Sequence, residues 1–419
     1  MIVYKFGGAS VCSAEGIKNI VSIVSTVDDN LFIVVSAMGK TTNAMERVLD
    51  AFMQAEKEEA LAQLSEVEQF HRTICKQLFA FEKKTDNILS PIFAEIKELI
   101  ISGIGNDYDR WYDRIVSFGE IISTKIISAH LEKQNIDNKW LDMRKLLITD
   151  SNFREANINM EQSRENLCKA VDFEQNKIYI GQGFIGANHK GDPTTLGREG
   201  SDYSAAVVGN LLAAQSVTIW KDVPGILNAD PRIFPNTVLI PELTYADAVE
   251  LAYSGAQIIH PKTIKPLENE NIPLFVRPFS TPEMAGSVIK RAITTPIDIP
   301  VLILRANQVL VSLRPRDFSF VLEDSLSHAF GVLNKHRIKV SLIQSSAVSI
   351  SVCVDNTRYL PAALDELSNE YSVTYNYNLE LLTIRGTNSI IEAETTANRE
   401  VLLSQHTRRS ARFLMREKK

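Results

Sequence analysis

The sequence predicts an α/β fold built on a mainly parallel sheet and followed by a smaller α+β unit. Three observations carry this. Up to about residue 293, apolar strands alternate with helices, the arrangement that makes a parallel sheet covered on both faces. The segment TTPIDIP at 294–300 then interrupts the pattern with two prolines and marks a domain boundary. Beyond it the order becomes strand, helix, two strands, helix, strand, a split βαβ sandwich.

In the first part the strands are Ile2–Phe6, Leu31–Ser36, Lys177–Gly183, Ser216–Trp220 and Pro273–Pro278. A Glu/Lys-rich helical stretch from about Thr42 to Gly103, expected to break near Pro91, and a helix from about Arg110 to Lys133 form a lobe beside the sheet. In the second part, VLVSLRP, VSLIQSS, VSISVCVD and LELLTIRG are strands, and SLSHAFGVLNKHRI and YLPAALDELSNE are helices. A shorter pass follows in LLTIRG, an Asn398-centred helix and SARFLMR, so the expected domains are 1–293, 300–380 and 381–419.

A length of 419 residues exceeds one compact core, which agrees with that division. Hydrophobic content of 45%, charged content of 23% and a net charge of −6 are those of a soluble globular protein and argue against nucleic acid as partner. Cys12, Cys75, Cys168 and Cys353 are scattered, without metal-ligand spacing, and are expected to be reduced thiols. No signal core or membrane-length run is present, so a cytoplasmic location without a membrane partner is expected.

Three clusters carry chemistry. KFGGAS follows the first strand: Gly7 and Gly8 allow a nest of main-chain N–H groups to approach phosphate, and Lys5 adds a fixed charge. In TTLGREGSDYSAAVVGNLLAA, Ser201 or Asp202 is expected to cap a helix running to about Ala214, with Gly197 and Gly200 loosening the loop before its positive end. Arg198 in that loop can grip a carboxylate through two parallel hydrogen bonds. WKDVPGILNADPRIF offers Lys221, Asp222, Asp230 and Arg232 for a nucleotide. Taken singly, each cluster also reads as a plain turn.

Two other motifs fail on inspection. GQGFIG at Gly181–Gly186 fits GxGxxG, but the polar, Gly/Pro-broken ANHKGDPTTLG after it cannot open the required helix. MGKTT mimics the end of a phosphate-binding P-loop, but Val34 stands where its leading glycine belongs.

In order and spacing, KFGGAS, SAMGKTTN, SFGE, GFIGANHKGDPTTLGREGSD, KDVPGILNADPR and GAQIIHPKT closely resemble the aspartate kinases of the amino acid kinase superfamily, of the monofunctional lysine-sensitive type. The C-terminal part resembles their tandem ACT domains. The resemblance implies a three-layer sandwich with a mainly parallel sheet in 1–293, then a ferredoxin-like βαββαβ ACT unit in 300–380 and a truncated one in 381–419. It implies ATP-dependent phosphorylation of the L-aspartate side chain to 4-phospho-L-aspartate, with Mg²⁺, in lysine, threonine and methionine synthesis. Alternatives are another carboxylate kinase of the superfamily and a non-catalytic amino-acid sensor. A homodimer or higher homo-oligomer, and an effector such as lysine at the ACT units, are further implications.

By the same resemblance, Lys5, Phe6, Gly7 and Gly8 match the phosphate element, and Lys5, Gly7, Gly8 and Asp202 the catalytic set. Ser36, Thr42, Glu120, Arg198 and Ser201 match aspartate contacts, Glu120 receiving the amino group. Lys221, Asp222, Leu227, Arg232 and Gln257 match ATP contacts, and no residue is assigned to a metal. An ionised carboxylate acceptor, with a pKa near 3.9, needs no general base. Some positions depart from the pattern: Glu199 replaces a glycine and is expected to point to solvent, Leu227 an aromatic residue, Gln257 a lysine, and QSSAVS a threonine-serine-glutamate run. The last unit also ends without its usual closing helix and strand. His260, before a proline, reads as a cap or packing residue.

Overall fold

A computed structural model describes the chain except for residues 80, 104–105, 257–258, 295–298, 317–319, 321–322 and 419. The chain divides into two compact units. One comprises Met1–Ile226, Leu239–Ala252 and Gln257–Thr295; the other comprises Leu227–Val238, Tyr253–Ala256 and Pro296–Lys419. The expected boundary segment 294–300 lies mostly outside the described residues.

In the first unit, eight strands of the described residues form one sheet. Their order is Lys139–Trp140, Ile178–Gln182, Leu31–Val35, Ile2–Phe6, Ser216–Lys221, Leu274–Pro278, Ser287–Lys290 and Glu242–Thr244. All neighbours run parallel except Leu274–Pro278 with Ser287–Lys290. The five strands expected from sequence all lie here. Leu31–Val35 is buried at every position, as a central parallel strand of branched side chains must be. Phe6 pairs in register with Val35 on one side and Trp220 on the other, so the C-terminal ends of the central strands stand in one row. That is the edge at which open parallel sheets collect ligands.

The helical lobe consists of Thr41–Met53, Lys57–Leu78, Glu82–Ser102, Tyr108–Val116 and Phe118–Lys133. The break expected near Pro91 is absent, because Glu82–Ser102 runs through it. Proline removes one hydrogen bond, but the burial of Leu89, Ile92, Phe93 and Ile96 outweighs that loss. A break does occur at Gln54–Glu56, where Ala55 takes φ 62°. The single helix expected over 110–133 is two helices, meeting at Ser117.

In the second unit six strands of the described residues form an antiparallel sheet ordered Val340–Ser346, Ser349–Asp355, Val301–Pro315, Tyr371–Arg385, Ser410–Glu417 and Arg399–His406. The central pair shifts register between Arg305 and Leu310, beside Asn307 and Asn378 in left-handed conformations, φ 56° and 58°. On one side of the shift Val309, Val311 and Leu313 pack with Ala329, Leu333 and Leu364 from the helices. On the other, Leu382, Ile384, Phe413 and Met415 pack with Leu302, Leu304 and Phe234. The Asn398-centred helix is displaced: the helix is Ser389–Thr396, because the Asn388 side chain accepts from the Ile390 and Ile391 amides and starts it earlier. Among the described residues, no helix is long and apolar enough to cross a membrane.

Candidate active site

The site is built where the row of strand ends meets the helical lobe. After Phe6 the chain turns at once, with the Ser10 and Val11 amides bonded to the Gly7 carbonyl. The Gly39 amide bonds to the Gly8 carbonyl at 2.9 Å. A Cβ on Gly8 would lie 2.7 Å from the Ala37 carbonyl oxygen, so only glycine lets the two loops approach this closely.

Lys5 is buried and its Nζ lies 2.6 Å from Asp202 Oδ1, while Lys221 Nζ lies 3.5 Å from Asp202 Oδ2. Burial alone would raise the Asp202 pKa. The two ammonium groups outweigh it and hold the carboxyl below the usual range, so Asp202 stays ionised as a counter-charge between them. Asp202 occupies the first turn of helix Gly200–Leu211 rather than its cap. The N-cap is Glu199, which enters with left-handed φ 53° and leaves Ser201 and Asp202 inside the helix. The expectation of a Ser201 or Asp202 cap is corrected accordingly: Asp202 spends its oxygens on lysines, not on amides.

Across the cavity stands Glu120, at the start of helix Phe118–Lys133 and buried. Its Oε1 accepts from the Ala37 amide at 3.2 Å, and its Oε2 has no partner. Burial pushes its pKa up to about 8, against the opposing pull of the Ala37 hydrogen bond and the Lys5 charge. Gly119 beside it packs closely, since a Cβ there would meet Ala37 Cβ at 3.1 Å and crowd it. The loop beyond is tied down by another buried carboxylate. Asp113 accepts from the Thr195 amide, the Thr195 hydroxyl and the Arg154 amide at 2.9, 2.6 and 3.0 Å, and so fixes the strand that leads into Gly197.

These groups enclose a cavity of about 430 Å³. Lys5, Gly7, Gly8, Ser36, Thr42, Glu120, Ser201, Asp202, Lys221 and Asp222, all expected from the sequence, line it together. Its ends differ in character. Two lysines, the glycine turn and a helix N-terminus suit phosphate, whereas the partnerless Glu120 oxygen suits a cation such as an ammonium. Residues 1–278 match the Amino acid kinase family. The chain belongs to that family.

Lysine-sensitive aspartokinase 3 of Escherichia coli (strain K12) is 31% identical over 365 residues, covering 85% of this chain and 79% of that protein. Aspartokinase 1, chloroplastic, of Arabidopsis thaliana is 31% identical over 374 residues, 85% of this chain and 63% of that one. The crystal structure of E. coli aspartokinase III in complex with aspartate and ADP superposes with a TM-score of 0.83 at 28% identity, covering 99% of this chain and 96% of that chain. The same enzyme in complex with lysine and aspartate gives 0.81 at 28% identity, covering 99% and 95%. The mainly parallel sheet and separate antiparallel sheet agree with those structures, as the fold expected from sequence requires.

Not every residue assigned by resemblance lies in this amino acid kinase cavity. Phe6 is fully buried and stacks on Trp220 at 6.2 Å between centroids, so it supports the turn from within the core. Arg198 is exposed and absent from the lining, although Gly197 and Glu199 on either side belong to it. Leu227 and Arg232 belong to the second unit, where Arg232 is bound to Asp230 at 2.6 Å. Gln257 lies outside the described residues. The lining also includes Ser10, Trp220 and Glu199, which the sequence reading did not assign to substrate. Ser10 ends the KFGGAS motif and Trp220 is the last residue but one of its strand, so closeness to the C-terminal end of a strand was the available signal. His260 is a cap: its Nδ1 accepts from the Lys262 amide at 3.1 Å.

Proposed function

We propose that this amino acid kinase transfers the γ-phosphoryl group of ATP to the side-chain carboxylate of L-aspartate, making 4-phospho-L-aspartate, the first step toward lysine, threonine and methionine. The observation that carries the reading is the partnerless, buried Glu120 oxygen in the same cavity as the Lys5–Asp202–Lys221 cluster. An amino acid bound with its ammonium on Glu120 turns its other end toward the lysines. A carboxylate oxygen of the substrate then attacks the γ-phosphorus, the bond to the bridging oxygen breaks, and ADP leaves with that oxygen. The transfer step itself moves no proton, because the attacking carboxylate is already ionised. The work is positioning and charge neutralisation, by Lys5, Lys221 and the Gly7/Gly8 turn.

The lining pairs two lysines with Glu120, Glu199, Asp202 and Asp222, an acidic excess that suits ATP carrying a divalent cation. No group of three or more metal-ligating side chains occurs among the described residues, and Asp202 is engaged by the lysines. Mg²⁺ would be held mainly by the phosphates and water, with Asp222 a further carboxylate in the lining. Bound there, it would neutralise charge on the phosphates. The decisive assay is ATP consumption with aspartate, glutamate or acetylglutamate, the acyl phosphate being trapped by hydroxylamine. Hydroxamate formed with aspartate alone is expected; preference for another acid would replace this reading with a sister carboxylate kinase, and none with any acid would favour a sensor.

For the second unit the register shift beside Asn307 and Asn378 supports two regulatory repeats, a complete one and a shortened one from about residue 381. Lysine is the proposed effector, and inhibition of hydroxamate formation by lysine tests it. A homodimer is proposed from the open strand edges of the sheet. Light scattering should read twice the chain mass of 46.9 kDa, and a monomer mass would contradict it. A cytoplasmic location, which keeps the exposed Cys12 and Cys168 reduced, is read by cell fractionation.

A further inference from the structure

Glu199 does not point to solvent. Its Oε2 accepts from the main-chain N–H of His260 at 2.7 Å, although its left-handed backbone, φ 53°, is one that glycine adopts more readily. His260 caps helix Pro261–Asn269, and two residues on Lys262 reaches back. Its Nζ donates to the Leu196 carbonyl at 3.2 Å and stands 4.7 Å from the centre of the Tyr203 ring. One turn of chain thus holds the Gly197–Gly200 loop before it, within it and after it. The loop needs such support because it begins at Gly197, with φ 77°, and displays Arg198 to solvent.

We propose that Glu199 and the His260–Lys262 turn form a clamp that fixes the Gly197–Gly200 loop for the amino-acid substrate, making Glu199 and Lys262 positioning residues. The inference rests on the aspartate kinase reading of the cavity. A side chain in place of glycine at 199 then has a purpose: it exchanges backbone ease for a hydrogen bond to a neighbouring helix start. The competing account is electrostatic. A carboxylate lining the cavity would repel the substrate's carboxylates, and the two accounts predict opposite signs.

The test measures hydroxylamine-trapped product and trypsin cleavage after Arg198 in the full chain. Glu199→Gly is expected to raise the aspartate KM about tenfold, with kcat and the ATP KM moving less than about threefold, because a lost charged hydrogen bond acts on loop placement and not on phosphoryl transfer. Glu199→Gln, whose amide oxygen still accepts, should recover most of that loss. Lys262→Met, which keeps the stem and removes the donor, should move KM in the same direction. Trypsin should cut after Arg198 sooner in Glu199→Gly and Lys262→Met. An aspartate KM that is unchanged or lower in Glu199→Gly overturns the clamp in favour of repulsion or no role. Should the wild-type chain form no hydroxamate, the kinase reading fails instead, and the cleavage rates alone decide the clamp: unchanged rates overturn it.

Discussion

Lys5→Met is expected to lower kcat at least about a hundredfold while leaving the aspartate KM within about threefold. The ammonium is buried at the end of a central strand, so its position is set by the sheet and not by a flexible loop. Charge that shifts onto the transferred phosphoryl meets it in surroundings poor in water, where a fixed charge is worth most. Methionine keeps the stem but leaves Asp202 facing only Lys221 at 3.5 Å, and a half-broken buried pair costs about 3–5 kcal/mol. A lowered melting temperature should accompany the loss. The double variant Lys5→Met/Asp202→Asn separates the effects: melting temperature should recover in part, while kcat stays low. Turnover within threefold of wild type in a folded Lys5→Met would reduce KFGGAS to a turn.

Glu120→Gln is expected to raise the aspartate KM about ten- to a hundredfold, the range for one hydrogen bond to a charged group, and to spare the ATP KM. The pH dependence distinguishes this from a packing defect. Burial raises the carboxyl to about 8 in the empty site, so at neutral pH it is mostly protonated there. An arriving ammonium favours the ionised form, and binding must expel that proton. Apparent aspartate affinity should therefore climb from pH 6 to about 8 and then level, and the slope should vanish in Glu120→Gln. For the fold the sign is the reverse: a carboxyl whose pKa is raised on folding contributes most below its ordinary value near 4.5, and that contribution is lost as pH rises through about 8. Glu120→Gln should thus melt no lower than wild type at pH 9. A sloping affinity profile in the variant would assign the proton to another group.

Local signals made much of the site legible. A lysine and two glycines directly after a buried strand place charge and amide groups at the sheet edge, whatever the remainder of the chain does. Glu120 was reached only through resemblance, because one glutamate on a helix carries no sign that every face of that helix is buried. Its unpaired oxygen is a tertiary fact. The cap at Glu199 was missed for a related reason: Ser201 and Asp202 have high cap propensity, but the lysines that claim Asp202 come from two strands, one at the start of the chain and one after the helix, which only the sheet brings side by side. Pro91 shows packing overriding a local breaker, and the Asn388 cap shows a local signal that the sequence reading passed over. Leu227 and Arg232 follow a strand of the first unit yet belong to the second, a division that no composition change announces.

The central claim is that one cavity holds an amino acid by its ammonium and presents its side-chain carboxylate to the phosphoryl site. A crystal structure of this chain with L-aspartate and ADP measures that directly. The ammonium should lie within about 3 Å of Glu120 Oε2, the α-carboxylate toward the Gly197–Ser201 segment with Arg198 turned in, and the side-chain carboxylate toward Lys5. Aspartate bound with its ammonium away from Glu120, or with its α-carboxylate facing Lys5, would contradict the account.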